Sequence, residues 1–374
     1  MEKVQTKITP NAKQQECIDT IKGTVMVLAG PGTGKTFVVI ERIKNMLNKG
    51  VEPNKILCLT FSEAAASEMK RRLIQKAGIN GSRVNVYTYH GFCYEIIQNY
   101  SEYFEEFSNF NIINPTQQRA LLRQCLEEID IKEFKTSSGD RYFYASEILS
   151  RIEDIKKNLL TRDVYFNNLE NHPEWGGGLK EAKIAIQECI KTGKKVTKTL
   201  EKKIREFENK IFKARELWKI FELYSLKMRQ NGFMDFSDMI ALVLMKFLYD
   251  ADFLETIAKE YDYFLVDEYQ DTNNAQNMLV FALNDAKEEK NLFVVGDDDQ
   301  IIYGFQGAQV DNLERFLKKY PQTKVICLEE NMRSTQSILD LSEQVAMLDP
   351  NRLESNYEFK QYNIKKYGHR LQCG

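Results

Sequence analysis

Ala29-Gly30-Pro31-Gly32-Thr33-Gly34-Lys35-Thr36 is the stretch whose reading decides the fold. An apolar run, Thr24-Val25-Met26-Val27-Leu28, enters it. A helical pattern leaves it, with Phe37, Ile40, Ile43 and Leu47 spaced for one face. Strand, Gly-rich turn and helix, in that order, make a phosphate cradle. Gly30, Gly32 and Gly34 let backbone N–H groups approach an anion with no Cβ in the way, and the helix N-terminus behind them adds its partial positive charge. Lys35 can reach the β- and γ-phosphates, and the Thr36 hydroxyl can ligate Mg²⁺. Ala29 stands where the simplest consensus has Gly, a mild departure. The motif names the ligand class and leaves open what hydrolysis is for.

The chain has 374 residues, enough for two or three domains. At 43% hydrophobic and 28% charged, it has the composition of a globular protein. Its 52 Lys+Arg against 54 Asp+Glu leave a net charge of −2, so a polyanion must meet a local basic surface. Seven scattered cysteines form no CxxC or Cys/His cluster and read as the reduced, mostly buried thiols of a cytoplasmic protein. The start, Met1-Glu2-Lys3-Val4-Gln5, has no apolar core of a leader, and no run approaches the ~20 apolar residues of a membrane span. No membrane partner is expected.

Pro10 and Asn11 read as a helix start, and the amide of Gln14 could meet the edge of an adenine or be an ordinary helix residue. Buried-type strand runs are expected near 24–28, 55–59, 84–87, 262–266, 292–295 and 324–328. Thr60-Phe61-Ser62 ends the second, and Thr88-Tyr89-His90-Gly91-Phe92 the third. Carboxyl ends of strands suit ligand contact in an open α/β sheet; Phe61 and Tyr89 suit core packing equally. Between Glu95 and Leu226 strand runs give way to charged amphipathic helices, an expected helical insertion. Its stretch Lys191–Arg215 holds ten Lys/Arg and three Glu, either a phosphate track or a solvated helix face.

The run Asp262-Tyr263-Phe264-Leu265-Val266 delivers Asp267-Glu268-Tyr269-Gln270-Asp271. Beside a phosphate cradle, Asp267 can hold Mg²⁺ and Glu268 can accept a proton from an attacking water. After the next strand comes Gly296-Asp297-Asp298-Asp299-Gln300, where the Gln300 amide could sense a γ-phosphate. Tyr303 and Phe305 follow and could stack on bases. After the last strand, Arg333 offers a planar fork for phosphate oxygens.

Taken together, these motifs resemble the amino-terminal half of a UvrD/Rep/PcrA-type superfamily 1 DNA helicase. The matching segments, in family order, are Asn11–Gln14, Ala29–Thr36, Leu59–Met69, Thr88–Cys93, Asp235–Ile240, Val266–Thr272, Val295–Ala308 and Leu328–Thr335. The resemblance implies an α/β fold: a RecA-like P-loop NTPase parallel sheet with an inserted all-helical subdomain. It implies two parts of one ATPase lobe at 1–100 and 225–335, a helical insertion at 101–224, and from 336 to 374 the start of a second lobe or a tail. By resemblance, Gln14 reads adenine; Lys35, Thr36 and Asp267 hold MgATP; Glu268 activates water; Gln300 and Arg333 contact the γ-phosphate. Phe61, His90, Phe236, Tyr303 and Phe305 line a single-strand track. The implied activity is ATP-driven 3′→5′ translocation and duplex unwinding. The implied partners are single-stranded DNA, duplex junctions, and repair or recombination proteins.

Glu63-Ala64 stands where the family usually has Asn-Lys, Gln306 where it has Arg, and Met332 where it has an adenine-stacking Tyr. A second motor lobe needs on the order of 100–150 residues after Arg333, so an amino-terminal fragment with weak activity is expected. Two other readings stay open: a nucleotide-gated module that grips single strands or a partner without translocating, and the motor half of a helicase–nuclease.

Overall fold

A strand that is apolar at every position needs cover on both faces, which a parallel sheet flanked by helices supplies. The computed structural model describes residues 9–107, 110–136, 139–171, 176–192, 195–297 and 312–346. Its strands are β1 (Val25–Ala29), β2 (Ile56–Thr60), β3 (Asn85–Thr88), β4 (Asn111–Ile112), β5 (Phe233–Met234), β6 (Tyr263–Val266), β7 (Leu292–Gly296) and β8 (Lys324–Leu328). Every residue of β1, β2 and β7 is buried.

Six strands form one sheet in the order β3-β2-β6-β7-β1-β8, and every pairing in it is parallel. The fold is therefore the expected α/β fold on a parallel sheet. β1 lies between β7 and β8, while the strand that follows it in the chain, β2, lies on the far side of β6. Such a reversal of strand order opens a crevice at the carboxyl ends, where ligands bind in open α/β sheets. The loop after β1 and the acidic turn after β6 both open at that edge.

The helix after the loop, Lys35–Asn48, buries Val38, Val39, Ile40, Ile43 and Met46 in the sheet core. Phe37 and Leu47, expected on the same face, pack against that core while remaining partly exposed.

The described residues up to Asn99 and from Leu242 onward form one compact unit, and Tyr100–Ala241 form the other. The second unit is helical, around Leu122, Cys125, Leu126, Ile148, Ile152, Trp218 and Ile220. The expected return at 225 falls inside its longest helix, Lys198–Gln230, and the unit closes only after β5 pairs with β4.

Two buried charges organise the helical unit. Glu216 accepts from the backbone N–H groups of Lys132, Glu133 and Phe134 at 2.6, 2.9 and 2.9 Å. Lys156 lies 2.6 Å from Asp235 and 2.7 Å from Asp238, and both partners hold its ammonium charged against the pull of burial. In the stretch 191–215, Lys202 pairs with Glu206, Lys213 with Glu147, and Glu208 with Lys183, so part of its charge is met within the unit.

Candidate active site

The loop Ala29–Thr36 leaves β1 and turns on two glycines with positive φ. Gly34 (φ +95°) precedes the helix, and a Cβ there would sit 2.9 Å from the Gln14 amide nitrogen. Gly32 (φ +77°) lies under the segment after β8, where a Cβ would meet Arg333 Cβ at 2.6 Å. Both positions therefore need the freedom and the missing side chain of glycine. Thr33 Oγ1 donates to Gly30 O at 2.7 Å and tightens the turn, with Ala29 buried and Pro31 exposed beside it.

Lys35 is 9% exposed, and its Nζ lies 3.4 Å from Glu268 Oε2. Thr36 Oγ1 donates to Asp267 Oδ2 at 3.5 Å. The residues after β1 and β6 thus meet across the crevice, although β7 separates the two strands. Burial, reinforced by the neighbouring Glu268 charge, pushes the Asp267 carboxyl up to about 7. Asp271 is pushed up to about 6 by burial and then by Glu268. Glu268 itself has φ +49°, the left-handed region that a non-glycine residue adopts only when its surroundings impose it.

A metal suits this donor set. Asp267 is 4% exposed, and a buried carboxyl raised so far is one that a divalent cation would relieve. A hydroxyl and a carboxylate are hard oxygen ligands of the kind Mg²⁺ takes from protein while substrate phosphates supply others. Among the described residues no group of three or more His, Cys, Asp and Glu forms a closed metal cage.

Gln14 lies against the loop, fully buried. Its Oε1 accepts from Asn11 N–H at 3.1 Å and its Nε2 donates to Thr33 O at 2.9 Å. In this conformation the amide that the resemblance assigns to adenine caps its own helix and holds the loop. That helix, Ala12–Asp19, is anchored by Arg42, which donates to Cys17 O at 2.7 Å, to Ile21 O at 3.0 Å and to Thr20 O, and stacks 4.2 Å over the Phe293 ring. Arg333 is exposed with its Cβ beside Gly32. Asn331, which sequence reasoning passed over, and the backbone of Met332 complete the cover. Asn331 donates to Pro31 O and accepts from Arg333 N–H and Ser334 N–H, while Met332 N–H donates to Gly32 O. The signal was an amide two residues before the candidate arginine, the pattern of a side chain that caps its own turn.

Of the residues expected on the single-strand track, Phe61 follows β2 and His90 lies two residues after β3, both half-buried at neighbouring strand ends. Phe236 belongs to the helical unit and is 54% exposed. Gln300, Tyr303, Phe305 and Gln306 lie outside the described residues. Tyr89 is 2% exposed, so of its two readings core packing holds. Glu63, a departure from the family, accepts from the Thr88 hydroxyl at 2.6 Å and so ties the ends of β2 and β3 together.

Residues 10–321 match the family model described as the UvrD/REP helicase N-terminal domain. The chain is also similar to the protein named ATP-dependent DNA helicase PcrA from Staphylococcus epidermidis, 33% identical over 338 residues. It is 32% identical over 338 residues to the protein of the same name from Staphylococcus aureus. Each match covers 90% of this chain and 39% of the relative, so the chain spans about two-fifths of the length of these relatives. No helix among the described residues is long and apolar enough to cross a membrane. On the extent of both matches, the chain belongs to the UvrD/REP helicase N-terminal domain family.

Proposed function

We propose that the chain binds MgATP at the crevice as the amino-terminal motor part of a helicase that couples hydrolysis to 3′→5′ movement on single-stranded DNA and to duplex unwinding, and that by itself it hydrolyses ATP weakly. The observation that carries this reading is the meeting of Lys35 with Glu268 at 3.4 Å and Thr36 with Asp267 at 3.5 Å. The loop backbone and Lys35 hold the triphosphate, with Arg333 at the segment that covers the loop and Gln14 keeping the loop in shape. Glu268 orients a water and takes its proton as the new O–Pγ bond forms and the bond to the ADP oxygen breaks; ADP and phosphate leave. Thr36 and Asp267 are the groups that would hold Mg²⁺, which when bound neutralises charge on the phosphates. Gln300 is the proposed sensor of the γ-phosphate. The cytoplasm, duplex junctions, and repair or recombination proteins belong to the same reading, as does a continuation of the chain's second lobe from 336 to 374.

Phe61, His90, Phe236, Tyr303 and Phe305 are the proposed DNA contacts. Anisotropy of labelled oligo-dT tests them. The chain binds the oligonucleotide with an affinity that changes when a non-hydrolysable MgATP analogue is added. Phe61→Ala and Phe236→Ala each weaken binding by roughly 1–3 kcal/mol, the worth of one base–aromatic stack. Binding that ignores both nucleotide and both substitutions contradicts the coupling.

A further inference from the structure

Gln270 lies between Glu268 and Asp271 in the chain and is 2% exposed. Its side chain reaches two strand ends at once. Nε2 donates to Glu268 Oε2 at 2.7 Å, and Oε1 accepts from Asp297 N–H at 3.1 Å, just past β7. A Cβ at Gly296 would lie 2.7 Å from that Oε1, so the glycine at the end of β7 makes the room for the amide.

The turn that carries Gln270, Tyr269–Asp271, is itself held from behind. Asn312 Nδ2 donates to Thr272 O and lies 3.4 Å from Gln270 O, while Asn312 Oδ1 accepts from Asn277 Nδ2 at 2.8 Å. Thr272 Oγ1 lies 2.9 Å from Asn277 Oδ1. These buried amides belong to the helices Asn274–Asp285 and Asn312–Lys319. Buried polar groups joined in this way rigidify a segment, because each unmade bond would leave a desolvated group. Such a frame can hold Glu268 at φ +49°.

We infer that Gln270 is a positioning residue: it holds the Glu268 carboxylate in the orientation from which it accepts the water proton, and ties that orientation to the backbone at the end of β7. The inference rests on the role of Glu268 proposed above. Glu268 is 37% exposed and has two side-chain partners on Oε2, Lys35 and Gln270. Lys35 is the group that the phosphates of ATP draw. Gln270 is neutral and has no competing anion, so its hold does not depend on nucleotide. The β7 end matters because the same amide answers to both places: a shift of Asp297 N–H pulls on the donor that Glu268 uses.

Two substitutions test this on the full chain. Gln270→Met keeps the length and removes both hydrogen bonds. Gln270→Glu keeps an acceptor for Asp297 N–H and sets a like charge against Glu268. Single-turnover ATP hydrolysis falls about 10–100-fold in both, the scale of a misplacement of about 1 Å, while affinity for a fluorescent MgATP analogue stays within about 2-fold. Both variants melt cooperatively; a merely structural role would instead lower melting temperature and affinity together. In a nucleotide-free crystal structure of Gln270→Met, Glu268 leaves its position 3.4 Å from Lys35 Nζ. Wild-type hydrolysis in both variants, or an unmoved Glu268 in that crystal, overturns the inference. Glu268→Gln is the control. If it hydrolyses ATP like the wild type, the role of Glu268 fails and the inference with it. If it is inactive while both Gln270 variants are unaffected, the positioning role alone fails.

Discussion

Glu268→Gln lowers ATP turnover by about 10³-fold and leaves nucleotide affinity within about 2-fold. Glutamine keeps the size and the acceptor for Gln270 Nε2, and loses only the basicity that takes a proton from water. Binding is carried elsewhere, by the loop backbone and Lys35, whose Nζ sits 3.4 Å from Glu268 and is released to the phosphates. The split between turnover and affinity is the check: a residue that merely supported the fold would lower both. Rapid-quench turnover with equilibrium binding of a fluorescent nucleotide on the same preparation measures it. Equal turnover in the two proteins would remove Glu268 from the chemistry.

Asp267→Asn produces two opposite effects. Hydrolysis falls by about 10²–10³-fold, because a neutral amide replaces the anion that would hold Mg²⁺. Metal-free stability at pH 8 rises. The Asp267 carboxyl sits at about 7 in the folded chain, through burial and the Glu268 charge, against an ordinary value of about 4 when unfolded. Between about pH 4 and pH 7 the folded state therefore holds a proton that the unfolded state has released. Stability conferred by that protonated form is full below pH 4 and is lost as pH rises through 7. Asp271, at about 6, adds to the decline with the same sign. Asparagine stays neutral throughout, so the variant escapes its part of the loss, on the order of 2–4 kcal/mol and several degrees of melting temperature. Melting curves in EDTA from pH 4 to pH 8 check it. Wild-type curves that do not move, or a variant less stable at pH 8, would contradict the account of Asp267.

The six sheet strands were legible because each is a short apolar run that ends in a polar motif, and every expected run overlaps an observed strand. Their order was not. It is set by pairings between segments as distant as β1 and β8, to which no local pattern points. The end of the helical unit was missed for a related reason. Its closing pair, β4 and β5, is two residues from each side and too short to leave a period. At the site, Lys35, Thr36, Asp267 and Glu268 were legible from residue type and spacing. Gln270, Asn331 and Asn312 were not, because each reaches a backbone group of a segment distant in the chain: Asp297 N–H, Pro31 O and Thr272 O. A backbone N–H or C=O carries no mark in the sequence. Tyr89 stood equally for ligand contact and core, and only burial could decide it.

The central claim is that one triphosphate is gripped from both sides of β7, by the loop after β1 and the acidic pair after β6. A crystal structure with a non-hydrolysable ATP analogue and Mg²⁺ tests it most directly. The account predicts phosphates along Gly32–Thr36, Lys35 Nζ turned onto them, the metal on Thr36 and Asp267, and Glu268 facing the γ-phosphate. Phosphates seated away from that loop, with Lys35 still on Glu268, would contradict it.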